Sequence, residues 1–154
     1  MLLELALALG IRQANPYLKM ETAQKWASVV VQESEDKGLD PWLFFAIIRH
    51  ESWWIPSVIH REKGDACDVG LGQILLVRCR RVDVLPLLDP VINLRRSAQV
   101  QKTAMDYCTE RTCTKDWLFL YNHSSTYVRL VKHEAEEARH EFELLAQRAA
   151  PSSR

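Results

Sequence analysis

Asp40-Pro41-Trp42-Leu43-Phe44-Phe45-Ala46-Ile47-Ile48-Arg49-His50-Glu51-Ser52 is the stretch whose reading decides the fold. Asp40 followed by Pro41 is a strong helix start. The Asp carboxylate accepts from a free N–H of the first turn, and Pro at the first helical position gives up a donor that had no partner. From Trp42 to Ile48 every residue is apolar, so the helix is expected to be buried all round, in the middle of a core. A carboxylate, Glu51, stands at its far end, followed by Trp53 and Trp54. It faces the negative end of the helix dipole among apolar neighbours, and both effects favour its protonated form. Glu51 is therefore a candidate general acid. The plainer reading is a surface glutamate paired with Arg49 or His50.

Outward from this helix the pattern is helical throughout. Leu2 to Gln13 reads as a helix stopped by Asn15-Pro16, and Glu21 to Lys37 as a second, with Gly38 as its C-cap. Residues 53 to 70 read as loop with little regular structure. Leu71 to about Arg80 reads as a short helix. Asp89-Pro90 opens a helix to about Cys108, with Leu94, Ala98, Met105 and either Val100 or Gln101 near one face. Thr114 to Asn122 is a further short helix. A last one runs to about Ala149, on an apolar stripe of Tyr127, Leu130, Val131, Ala135, Ala138, Phe142, Leu145 and Ala149. The expectation is one mainly α domain over residues 1–150, helices around a buried central helix with little or no β-sheet, and a disordered tail at 151–154.

Twenty Lys plus Arg balance twenty Asp plus Glu in 154 residues. Such balance argues against a nucleic-acid binder. The longest apolar run, Trp42 to Ile48, is too short to span a bilayer. Met1 to Gly10 has the apolar character of a signal peptide but carries Glu4 and reads as a helix, so an export signal of the usual type is not evident. An even set of four cysteines suits an oxidising compartment. Three pairings are open, and neighbour pairing, Cys67–Cys79 with Cys108–Cys113, is the most natural because each bridge staples a loop or helix end. The cysteine spacings fit no metal site, and His133 and His140, one helix face with Glu136 and Glu137 between them, lack a third ligand. No metal and no cofactor are expected.

Glu51-Ser52-Trp53-Trp54-Ile55-Pro56 is followed by Gly70-Leu71-Gly72-Gln73-Ile74 and then by Tyr121-Asn122. Across roughly residues 38 to 130 this order resembles the soluble-type (SLT) lytic transglycosylases, which share the lysozyme-like fold with goose-type lysozymes. The resemblance implies cleavage of the β-1,4 bond between N-acetylmuramic acid and N-acetylglucosamine in peptidoglycan, with a 1,6-anhydro product. Glu51 would be the single acid and base, and the sugar's N-acetyl group would stabilise the cation-like centre. Tyr121 would hydrogen-bond Glu51, Asn122 would hold the loop that positions Tyr121, and Gln73 would line the cleft. Gly72 would let the sugar approach closely. Ser52 and His60 belong to the same implied substrate-binding set. Of the two adjacent tryptophans one is expected in the core and one on a sugar face, the latter taken as Trp54.

The chain departs from the family pattern at His60, where a Ser is usual, at Ile55-Pro56 in place of Asn-Pro, and at His123-Ser124 after Tyr-Asn. Its link from Glu51 to Gln73 is longer by a few residues and holds Asp65, Cys67 and Asp68. Two alternatives follow: a hydrolytic muramidase using Glu51 with Asp65 or Asp68, and a non-catalytic glycan-binding or scaffold domain, favoured if His60 or the long loop blocks the cleft. Both acids also read simply as solvated loop residues. The expected partner is the peptidoglycan glycan strand, with the chain a monomer in the periplasm or exported to the cell envelope.

Overall fold

A computed structural model describes residues 1–111, 113 and 116–149, with the side chains of residues 145, 148 and 149 outside the description. The helix over Pro41–Ser52 (α3) lies at the centre. Asp40 caps it as its sequence requires, one carboxylate oxygen accepting from the Trp42 and Leu43 amides at 2.9 and 3.3 Å. Phe44, Ala46, Ile47 and Ile48 have no exposed surface and Phe45 almost none. Around α3 are Leu2–Ala14 (α1), Met20–Lys37 (α2), Arg81–Leu87 (α4), Pro90–Arg111 (α5), Trp117–Asn122 (α6) and Ser125–Ala149 (α7).

The helix turns are built from ordinary local chemistry. Gly38 ends α2 in the left-handed conformation at φ 65°. Asp116 and Asp89 cap their helices with side-chain oxygens. Ser124 accepts from the Tyr127 amide at the start of α7. On α5 the buried face holds Asn93, Leu94, Ser97, Ala98 and Gln101, while Val100 points outward.

The stretch between α3 and α4 departs from expectation. Residues 59–61 (β1), 67–69 (β2) and 74–76 (β3) form an antiparallel sheet in the order β1-β2-β3. His60 pairs with Asp68, and Asp68 with Leu75. The region is thus not plain loop, and the helix expected over 71–80 is absent: β3 and turns occupy that stretch, and α4 begins only at Arg81. Each strand has only three residues, too few for an alternation of apolar and polar positions to register. Cys67 and Cys79 are bridged, as are Cys108 and Cys113. The first bridge ties β2 to the segment leading into α4. The expected helix start at Thr114, the stripe positions Leu145 and Ala149, and the tail at 151–154 lie outside the described residues or side chains.

Candidate active site

Glu51 occupies the last turn of α3, half-buried, where the helix meets a cleft of about 400 Å³. Asp68 of β2, Gly72 and Gln73, Arg96 and Val100 of α5, and Tyr121 and Asn122 of α6 line the same cleft. Burial is the main cause that raises the Glu51 pKa above the ordinary carboxylate value. A hydrogen bond from Tyr127 works against this, and the negative charge of Asp68 adds to it. Asp68 is itself raised, by burial first and then by Glu62. The site therefore favours a Glu51 that keeps its proton.

The tyrosine that holds Glu51 is Tyr127, not Tyr121. Its hydroxyl donates to Glu51 Oε1 at 2.7 Å from the first turns of α7. Tyr121 stacks on Tyr127, with centroids 6.3 Å apart, and donates to the Gly72 carbonyl at 3.3 Å. The two phenols divide the work: one orients the carboxyl, the other fixes the opposite wall. Burial and the nearby Glu51 charge raise both phenol pKa values, so both stay donors. In the sequence Tyr127 reads as one position of the α7 core stripe. The available signal was a polar-tipped aromatic at a helix start, close behind Tyr121-Asn122.

A second clasp secures α3 to α7. Glu134, two turns beyond Tyr127, takes Arg49 at 2.6 Å and His50 at 2.7 Å. The residues flanking Glu51 on its N-terminal side are thus pinned to the helix that carries its hydrogen-bond donor.

The opposite wall hangs on Asn93 of α5. Its Oδ1 accepts from the Gly72 amide at 2.7 Å, and its Nδ2 donates to the Val69 and Leu87 carbonyls at 2.8 Å each. Gly70, at φ 75°, lies against that amide, where a Cβ would fall 2.2 Å from Asn93 Nδ2. A Cβ on Gly72 would fall 2.5 Å from Ser97 Oγ. Glycine at 72 therefore serves the close approach of α5, and its backbone also lines the cleft. Gln73 lines the cleft in a left-handed conformation (φ 43°), its amide donating to the Gly70 and Val58 carbonyls.

The remaining sequence-derived residues fall as follows. Trp54 is fully buried between Trp26 and Phe45, with centroids at 6.3 and 5.6 Å, and this corrects its assignment to a sugar face. Its neighbour Trp53 is the exposed one (56 %), with the Arg49 guanidinium over its ring. Both indoles take positive φ, so the turn after Glu51 is strained and held by Trp54 burial and by Asn15 donating to the Trp54 carbonyl. Ser52 is buried, and its hydroxyl donates to the Ile48 carbonyl inside α3. It faces the helix rather than the cleft, which corrects its place in the substrate-binding set. His60 is largely exposed on β1, 3.5 Å from Glu62, and is not part of the cleft lining. Asp65 is exposed on the β1–β2 connection and is not among the lining residues of the cleft.

A central buried helix ending in a carboxyl of raised pKa, beside a small sheet and facing an open cleft, defines a mainly α, lysozyme-like domain. The chain belongs to the transglycosylase SLT domain family, whose pattern matches residues 28–139 and so includes every cleft residue named above. Members of that family act on cell-wall peptidoglycan as lytic transglycosylases. Comparison with curated proteins and with solved structures gave no match. Among the described residues no helix is long and apolar enough to cross a membrane.

Proposed function

We propose that this protein is a peptidoglycan lytic transglycosylase in which Glu51 is the single acid and base. The observation that carries this reading is the Tyr127-held carboxyl of Glu51 in the cleft, its pKa raised by burial. Glu51 gives its proton to the glycosidic oxygen as the C1–O4 bond breaks. The resulting carboxylate takes the proton of the muramyl C6 hydroxyl, whose oxygen closes onto C1. No water is consumed and the carboxyl ends as it began. Tyr127 keeps the acceptor oxygen in one place through both transfers, the usual role of a fixed positioning group. The two disulfides and the wall substrate of the family support an exported location in the cell envelope.

Digestion of purified sacculi tests this reading. The expected fragments end in 1,6-anhydromuramic acid, one water lighter than hydrolysed ends, and Glu51→Gln releases none. Intact activity in that variant overturns it.

One observation favours a second reading. Asp68 lines the same cleft, and its charge bears on Glu51. A water activated by Asp68 would give hydrolysis with inversion, a geometry that calls for carboxyls about 6.5–9.5 Å apart. Hydrated reducing ends would select it. The binding-only reading has less support, since neither His60 nor Asp65 is among the lining residues of the cleft.

A further inference from the structure

The cleft continues. A second compartment of about 520 Å³ runs between α5 and α6 and shares Arg96, Val100 and Tyr121 with the Glu51 cleft. Beyond that junction its floor is the outward face of α5, through Thr103 to Tyr107, with Leu120 of α6 as the other wall. These positions recur every three or four residues, so they form one stripe along the helix.

Two features describe what the stripe would take. The first is charge. Arg96 stands at the junction and has no ion-pair partner among the described residues, and none of the lining residues is acidic. At the far end Arg111 lies over the Tyr107 ring, 4.7 Å from its centroid, and donates to the Tyr107 hydroxyl. The groove thus has one guanidinium at its junction, an apolar, hydroxyl-bearing middle, and a second guanidinium packed on the Tyr107 ring beyond its lining. The second is length. Tyr107 lies eleven helical steps beyond Arg96, about 16 Å at the rise of an α-helix. That is the reach of about five extended residues.

We propose that this compartment binds the acidic stem peptide carried by the muramyl sugar, so that the protein prefers peptide-bearing strands over bare glycan. The inference rests on the reading of the Glu51 cleft as the peptidoglycan site. A short peptide with carboxylates along its length matches Arg96 at the junction and Arg111 just beyond Tyr107, since Arg forms bidentate pairs with carboxylate. The alanine methyls of such a peptide match Val100, Leu120 and the Tyr107 ring. Bare glycan offers only the one lactyl carboxylate and methyl of each muramyl sugar, too short to span the groove. The groove opens directly from the cleft, which suits a peptide joined to the sugar at the reacting end.

The test is a binding comparison in the Glu51→Gln background, which consumes no substrate. Glycan strands with intact stem peptides and strands stripped by an amidase are titrated against the protein. The expected result is tighter binding of the peptide-bearing strands by roughly five-fold or more. Tyr107→Ala and Arg111→Gln should remove that preference and leave affinity for stripped strands as it was. Arg96→Gln should lower the ratio of the two affinities. Equal binding of both strand types by the protein with Tyr107, Arg96 and Arg111 intact overturns the proposal. So does a loss in Tyr107→Ala that is the same on both. Absence of anhydro products from the protein with Glu51 intact would overturn the reaction proposed above and leave this binding result standing on its own.

Discussion

The Tyr127 hydroxyl and Glu51 Oε1 are 2.7 Å apart, joined across 76 residues of chain. This bond couples the end of the central helix to the start of the last one, and it lowers the Glu51 pKa against the upward push of burial. Tyr127→Phe removes it. The rate should fall about ten- to hundred-fold through lost positioning. The alkaline limb of the pH–rate profile should move to higher pH, because the proton on Glu51 is then held more tightly. Tyr121→Phe loses its bond to the Gly72 carbonyl and its contact with Ser97, about 1 kcal/mol of stability, and should leave that limb in place. Steady-state rates across pH for both variants check the pair. A shift in Tyr121→Phe alone would return the positioning role to that residue.

Glu51 also leaves a signature in stability. Its folded pKa is raised, so the folded chain binds this proton more tightly than the unfolded chain. Stability from this group is full below the ordinary glutamate pKa and is lost as pH rises through the raised folded value. Glu51→Gln should therefore melt at the same temperature as the parent in acid and at an equal or higher one near neutrality. Thermal melts at two pH values read this directly. A large loss of stability at both would mark Glu51 as a structural residue.

Asn93 supports the far wall with three hydrogen bonds, buried to 1 % exposure. Asn93→Ala should cost about 3 kcal/mol in urea unfolding, since it leaves one amide and two carbonyls without partners. Asn93→Asp keeps the shape and the acceptor for Gly72 but, once ionised, loses both donors. It should be destabilised nearly as much, and the deficit should shrink in acid as the carboxyl regains a proton.

Asp68 raises the Glu51 pKa through its charge. Asp68→Asn should move the alkaline limb of activity to lower pH while anhydro ends still form. Complete loss of product in this variant, with the fold intact by circular dichroism, would favour the hydrolytic arrangement.

The sequence carried the helical part of this molecule because long helices repeat their signals. Asp40-Pro41 and the apolar run to Ile48 specify a capped, buried helix without help from the rest of the chain. The small sheet was not legible, since three-residue strands such as Ile59–Arg61 present no period. Glu51, Gln73 and Asn122, singled out by an ordered set of short motifs, line one cleft. Tyr127 was missed because a tyrosine on an amphipathic stripe satisfies the core pattern equally well. Trp54 and Ser52 were misplaced for a related reason: a residue beside Glu51 in sequence points elsewhere once α3 closes with the left-handed turn at Trp53. The roles of Asn93 and Gly72 depend on how α5 meets the 70–73 turn, a tertiary contact that no local pattern encodes.

The most direct test of the central claim, that Glu51 works alone and without water as reactant, is digestion of peptidoglycan in heavy-oxygen water. Mass spectrometry of the released fragments should find anhydro ends free of label, and none at all with Glu51→Gln. Heavy oxygen at the new muramyl ends would contradict the account, since only a hydrolytic step brings a solvent oxygen to C1.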